Sequence, residues 1–83
     1  MGMKLSIIDT EKVAMYDVAW VELNTFVGNM VIQAGHVPVI IELLPGHELL
    51  FELSTGEQKN IMITQAVAHV MREQVKILIP LAI

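Results

Sequence analysis

The stretch NTFVGNMVIQAGHVPVIIELLPG, which runs from Asn24 to Gly46, decides the fold of this chain. In it, short runs of valine, isoleucine and leucine alternate with turn signals that contain glycine. β-Branched residues favour strands, whereas glycine and proline favour tight turns. The stretch therefore predicts short strands separated by turns. The residues predicted to form or bound these turns are Gly28, Gly35, Pro38, Pro45 and Gly46.

The same alternation extends toward both ends of the chain and predicts further strands. They cover residues 4–8, 12–16, 18–23, 48–53, 60–63, 67–71 and 75–79. Turn signals recur about every 8–12 residues, a spacing that is typical of β-sandwiches and barrels. We expect a single all-β domain over residues 1–83, a sandwich or flattened barrel of about ten strands without a helix longer than two turns. A short helix over residues 65–71, which are rich in good helix formers, is the alternative.

Composition predicts an aliphatic core and an exposed apolar surface. Apolar residues make up 54% of the 83 residues, but aromatic residues only 5%. This apolar share exceeds the roughly 45–50% of an ordinary soluble domain, and a domain of this size has little interior in which to bury the excess. We therefore expect part of the apolar surface to be exposed and available to a partner.

Charge and hydropathy exclude several classes of partner. The formal net charge is −4, and the five lysine and arginine residues are scattered singly. Nucleic-acid-binding proteins cluster their cations, so nucleic acid is not expected as a partner. The longest apolar runs, such as residues 37–41 and 77–83, fall far short of the roughly 20 residues that cross a bilayer, so direct membrane insertion is not expected. The absence of cysteine excludes disulfides and thiolate catalysis.

Three histidines, His36, His47 and His69, are the candidate metal ligands. None follows the His-x-His or His-x-x-x-His spacing that brings two imidazoles to one metal. The alternative function is that of a small free-standing β-barrel or sandwich that binds a metal or small ligand, as a cupin does. A cupin site needs a cluster of histidines with a glutamate, and Gly46-His47-Glu48 is too little to supply it. The chain contains no nucleophile elbow and no glycine-rich phosphate loop. We therefore expect a protein that is not an enzyme and has no cofactor.

A family resemblance runs in register through most of the chain. Residues 28–32, GNMVI, and residues 35–40, GHVPVI, resemble the pattern Gly-Glu-x-Gly-Ile-x-Pro-Gly-His-Ala-Pro-Leu-Leu of the epsilon subunit of the rotary F-type ATP synthase. Residues 3–8, 17–25 and 73–78 resemble further segments of that family in the same order. The resemblance implies the N-terminal β-sandwich domain of this subunit, in a short or divergent member that lacks the C-terminal helical hairpin.

The resemblance also implies a function and its partners. It implies a structural subunit of the central stalk that couples the gamma subunit to the c ring during ATP synthesis, in a proton- or sodium-translocating enzyme. The implied location is peripheral, at the cytoplasmic face of a bacterial membrane. Position by position, Asn29 is implied to face the c ring. The residues implied to face gamma are Asp9, His36, Ile41 and His47.

The strand that follows His36 carries the most specific expectation about the gamma interface. Pro38 cannot donate a backbone hydrogen bond, so this strand is predicted to lie at the edge of a sheet. Side chains alternate along a strand, so Val39 and Ile41 share one face and Ile40 lies on the other. The resemblance favours Ile41 as the residue that faces outward.

Overall fold

A computed structural model describes residues 2–80 of the chain. These residues form eight β-strands and no helix, which confirms the predicted all-β class. Consequently, no helix in the described residues is long and apolar enough to span a membrane. The strands are β1 (Met3–Ile8), β2 (Val13–Thr25), β3 (Gly28–Gln33), β4 (Val39–Glu42), β5 (His47–Leu53), β6 (Gln58–Ile63), β7 (Val67–Val70) and β8 (Gln74–Leu78).

The strands form two sheets that share the long strand β2. Sheet I contains, in spatial order, β4, β7, β8, β1 and the first half of β2. Sheet II contains β3, the second half of β2, β5 and β6. Neighbouring strands are antiparallel except for β1 and β8, which are parallel. Buried side chains of both sheets form one core cluster, as in a β-sandwich.

Strand β2 passes from one sheet to the other through an irregularity in its pairing. Its register toward β5 shifts between Val18 and Trp20. A bulge adds one residue and bends the strand, so Val18 and Val21 are both fully buried although they are three residues apart. Asp17 does not interrupt the strand, because its carboxylate points outward and forms an ion pair with Lys4.

The number of strands is therefore eight in the described residues, not the ten expected. Residues 12–16 and 18–23 were predicted as two strands, and all of them except Lys12 belong to the single strand β2. The alternative of a helix over residues 65–71 is wrong, because residues 67–70 form strand β7, which pairs with β4 and β8 and directs Ala68 and Val70 into the core.

The core is mainly aliphatic, as the composition predicts. Alternate residues of the central strands are fully buried, for example Leu5 in β1 and Ile77 in β8. Phe51 in β5 is the largest of the fully buried side chains in the described residues. Its ring centroid lies 4.9 Å from that of Tyr16, with the planes tilted by 46°. Because Tyr16 belongs to Sheet I and Phe51 to Sheet II, this aromatic pair joins the two sheets.

The turn glycines adopt the conformation that their role requires. Gly46, between β4 and β5, has φ of +76° and donates its N–H to the Ile63 carbonyl at 2.9 Å. Gly28 and Gly35 also have positive φ, as expected from the turn signals. A Cβ at Gly46 would meet no heavy atom within 4 Å, so the requirement for glycine there comes from the backbone alone.

Replacing Gly46 with alanine is expected to lower the free energy of unfolding by about 1–2 kcal/mol, because a Cβ is disfavoured at positive φ. Gly46→Asn is the matched control, because asparagine tolerates this conformation better and should cost less. Urea denaturation of the three proteins measures the effect. Equal loss from alanine and asparagine would contradict the role of backbone strain.

Candidate interaction surfaces

The outer surface of Sheet I contains a row of apolar side chains. Register places Val67, Leu78, Ile8 and Val13 side by side across four neighbouring strands. At the spacing of paired strands, this row extends over roughly 14 Å. Met15, which is 64% exposed, and Ile40 lie at the two ends of the adjacent row. Between them lie Ser6, Lys76 and His69. We call the outward side chains of Ile8, Val13, Met15, Ile40, Val67 and Leu78 the apolar face.

Charges on the outside of Sheet I balance one another. Lys4 and Lys76 are offset by Asp17 and Glu42, and Lys4 forms its ion pair with Asp17 at one end of the sheet. A soluble domain seldom leaves so many neighbouring apolar side chains in water. The buried centres of protein interfaces are apolar and depleted of charge, and the row from Val67 to Val13 has this composition.

The outer surface of Sheet II is polar and acidic. Its outward positions include three glutamates and five amide side chains but no lysine or arginine. Amide groups donate to these carboxylates, as from Asn29 Nδ2 to Glu22 Oε2 at 3.0 Å and from Asn60 Nδ2 to Glu48 Oε2 at 3.3 Å. We call this surface the polar face. The two outer surfaces of the sandwich therefore differ in charge, because that of Sheet I carries both signs and the polar face carries carboxylates without lysine or arginine.

Asp9 lies in the turn between β1 and β2, beside the apolar face. Its Oδ1 accepts hydrogen bonds from the backbone N–H groups of Glu11 at 2.8 Å and Lys12 at 2.9 Å. These two bonds favour the ionised form and lower the pKa of Asp9 below its ordinary value. Together with Ile8 and Leu78, Asp9 also lines an open, mainly apolar groove. Its place at the border of the apolar face suits a charged group at the rim of an interface.

The facing predicted for Ile41 is wrong. Strand β4 lies at the edge of Sheet I, as predicted, but Ile40 is its outward aliphatic residue, with 68% of its surface exposed. Ile41 is half-buried on the same side as Val39, which packs against the core. The reason is the pairing with β7, where Ile41 lies opposite the fully buried Ala68 and Ile40 opposite His69.

The other residues implied to contact partners lie far apart in the topology. His36 lies in the loop before β4, where its Nδ1 is 2.7 Å from the Val37 carbonyl oxygen and therefore acts as the donor. His47 is the exposed first residue of β5, opposite Ile63. Asn29 lies on the polar face at the start of β3. Of the implied gamma residues, Asp9 is the one that borders the apolar face, through the groove that it shares with Ile8.

The three histidines do not form a metal site. They belong to a loop, to β5 and to β7, and no group of three histidine, aspartate, glutamate or cysteine side chains in the described residues is placed to hold an ion. The alternative of a cupin-like metal site therefore has no supporting geometry in residues 2–80.

Comparison with known proteins identifies the family. Residues 2–83 match the family described as ATP synthase, Delta/Epsilon chain, beta-sandwich domain. The chain belongs to this family. The resemblance to the epsilon subunit is thereby confirmed at the level of the delta/epsilon family. No curated protein sequence matches this chain with significant similarity.

Solved structures of ATP synthases contain chains similar to this delta/epsilon-family domain. One is part of the cryo-EM structure of the Euglena gracilis mitochondrial ATP synthase, OSCP/F1/c-ring in rotational state 1, with 26% identity and a TM-score of 0.85. The alignment covers 94% of this chain and 50% of that chain. A second, from the central stalk/c-ring of the Tetrahymena thermophila mitochondrial ATP synthase, has 19% identity and a TM-score of 0.73.

The second alignment covers 96% of this chain and 64% of that chain, and at this identity it supports the fold alone. The delta/epsilon-family domain thus spans about half the length of the first structural relative and about two-thirds that of the second. Both matched complexes are mitochondrial. The bacterial origin implied by the sequence stays a prediction.

Most of the apolar face could not be located from the sequence. Composition predicts an exposed apolar surface, but it does not assign Met15, Val13 or Leu78 to that surface. One signal was present, because Val13 and Met15 share a strand face on which Asp17 is the next residue. The pairing of β1 with β8, which completes the apolar row, joins opposite ends of the delta/epsilon-family domain and leaves no local pattern.

Proposed function

We propose that the chain is a non-catalytic subunit of the ATP synthase central stalk that binds gamma and the c ring and couples their rotation. The observation that carries this proposal is the family match over residues 2–83. The whole domain resembles a chain from an assembly that includes F1 and the c ring. Such a subunit contributes binding surfaces, since it makes and breaks no covalent bond.

The apolar face supports a stable contact with gamma. It is a row of side chains across four strands beside an open groove, and therefore suits another protein better than a small molecule. Asp9 at its border is a charged rim position, as the resemblance implies for gamma. His36, Ile41 and His47 remain predicted gamma contacts outside this face.

For the c ring, the proposal rests on the end of the sandwich that contains the turn between β2 and β3. Phe26 and Val27 form the tip of this turn and are exposed, Val27 by 92%. Asn29 follows directly, and its amide is held by Glu22 Oε2 and by Asn24 Oδ1 at 3.2 Å. A fixed amide beside an exposed apolar tip can combine hydrogen bonding with apolar contact. A contact with the c ring would also place the chain at the membrane surface, so we propose a peripheral membrane location.

Reconstitution tests the proposal. The purified chain is mixed with the gamma subunit, with detergent-solubilised c ring, and with both, and each mixture is separated by size-exclusion chromatography. We expect the chain to elute with gamma and to form a ternary complex when the c ring is added. Elution of the chain as a separate peak in all three mixtures would contradict a role in the central stalk.

A further inference from the structure

Strand β3 presents an unpaired backbone edge. It pairs with β2 and, within the described residues, with no other strand. The two strands are joined by the two-residue turn Phe26-Val27, so the flanking residues Thr25 and Gly28 form a hydrogen-bonded pair. In an antiparallel pair, residues that bond to the partner strand alternate with residues whose backbone groups point away from it. Accordingly, the carbonyl of Asn24, the neighbour of Thr25, points away from β3 and accepts the N–H of Leu44 at 2.8 Å.

The same alternation identifies the backbone groups at the free edge of β3. Met30 and Ile32, like Gly28, direct their N–H and C=O groups toward β2. Asn29, Val31 and Gln33 direct theirs to the opposite side, and all three residues are exposed. The Gln33 carbonyl accepts the N–H of His36 at 3.2 Å. Two carbonyls and three N–H groups along this edge have no partner among residues 2–80.

This edge lacks the usual protection against strand pairing. Natural edge strands are commonly protected by lysine, by other charged residues, by proline or by short length. Strand β6, the other edge of Sheet II, contains Lys59, and the four-residue strand β4 follows Pro38 and ends at Glu42. Strand β3, with the sequence GNMVIQ, is six residues long and has neither a charge nor a proline.

We propose that β3 receives an extended segment of another ATP synthase subunit, which joins Sheet II as an additional strand. This inference rests on the proposed function, since it takes the partner from the same complex. An added strand would hydrogen-bond to the free groups of Asn29, Val31 and Gln33. A free, long and uncharged edge is an aggregation site in an isolated protein, and a partner strand removes that hazard.

The surroundings of β3 define the chemistry of the partner segment. Its side chains on the outer side would extend the polar face, where Glu22 lies opposite Val31 and no lysine or arginine balances the carboxylates. Lysine or arginine therefore fits these positions. On the inner side the segment would continue the apolar layer beside Met30, which packs against the core. The partner segment is an extended strand with alternating basic and apolar residues.

Hydrogen exchange on the assembled complex tests the proposal directly. Exchange at single-residue resolution is compared between the isolated chain and the chain within ATP synthase. The amides of Asn29, Val31 and Gln33 should exchange on the order of 100-fold more slowly after assembly. Met30 and Ile32 are internal controls, because their amides already bond to β2 and should be slow in both states.

A proline scan of the two edges of Sheet II provides a second test. Val31→Pro removes an N–H that faces the free edge of β3, and Asn60→Pro removes the corresponding N–H at the centre of β6. Proline is tolerated where the N–H of an edge strand faces solvent, so both variants should fold. In competition with the wild-type chain for ATP synthase lacking this subunit, Val31→Pro should incorporate about tenfold less well or worse, and Asn60→Pro should match the wild type.

The outcomes separate this inference from the function on which it rests. If the chain assembles while the amides of Asn29 and Val31 remain in fast exchange, strand addition is wrong and the stalk function stands. If the chain does not assemble with ATP synthase subunits at all, both are overturned. If the same protection appears in the isolated chain as its concentration rises, the added strand is a second copy of the chain, and the proposed partner is wrong.

Discussion

Phe51→Ala is expected to lower the free energy of unfolding by about 3–5 kcal/mol, a larger loss than a turn or surface substitution causes. The side chain is fully buried, and its removal leaves a cavity between the two sheets, where the ring now packs beside Tyr16. A domain of this length has a total stability of about 4–12 kcal/mol, so the loss takes up a large part of it. Thermal and urea denaturation followed by circular dichroism would measure the loss.

The chain offers its own control for this prediction. It contains two phenylalanines, and the second, Phe26, lies exposed in the turn between β2 and β3. Phe26→Ala removes the same atoms from a surface position and should change the stability by about 0.5 kcal/mol or less. Similar losses for the two variants would contradict the assignment of Phe51 to the core that joins the sheets.

The all-β class could be predicted because its signals are local. Turn glycines such as Gly28 and Gly46 and alternating runs such as that of β8 depend on neighbouring residues only, and the structure has them as expected. The edge position of β4 was predictable for the same reason, since Pro38 marks it within the sequence. The family resemblance added the sandwich, which periodicity alone leaves open between a sandwich and a barrel.

The strand count and the facing of β4 could not be predicted from local pattern. The bulge in β2 depends on how β5 pairs with it, and nothing near Val18 encodes that register. In β4, Ile40 and Ile41 are both aliphatic, so either could face the core with equal hydrophobic gain. Pairing with β7 decides the matter, because it places Ile41 on the inner side. The sequence therefore does not determine which side of β4 faces outward, and the outward facing expected for Ile41 depended on that choice.

The existence of a candidate apolar interface could be predicted from the sequence, but its location could not. An excess of apolar residues in a small domain predicts an exposed apolar surface, and the apolar face is part of that surface. Its location depends on the parallel pairing of β1 with β8, which brings Ile8 beside Leu78 from the opposite end of the chain. The sheet pairing, rather than any motif, therefore creates the candidate site, and single substitutions on it are the most direct probe of function.

Met15→Asp is expected to weaken the binding of gamma by about 2 kcal/mol or more, equivalent to about thirtyfold or more, if gamma covers the apolar face. The substitution would place a carboxylate in a desolvated contact, which is costly. Of the two lysines on this side of the sheet, Lys4 is already paired with Asp17, and Lys76 lies two strands away from Met15. In the isolated protein the same change should alter stability by about 0.5 kcal/mol or less, because 64% of the Met15 surface is already exposed.

Met62→Asp is the matched control, since Met62 is 60% exposed but lies on the polar face of Sheet II. Both variants exchange the same side chains at nearly the same exposure, so they differ chiefly in the surface that is altered. Titration calorimetry with gamma, beside a thermal melt, should show weak binding for Met15→Asp and near-wild-type binding for Met62→Asp. The reverse ranking would place gamma on the polar face. Unfolding of Met15→Asp would instead assign Met15 a structural role, because a change confined to an open surface cannot unfold the domain.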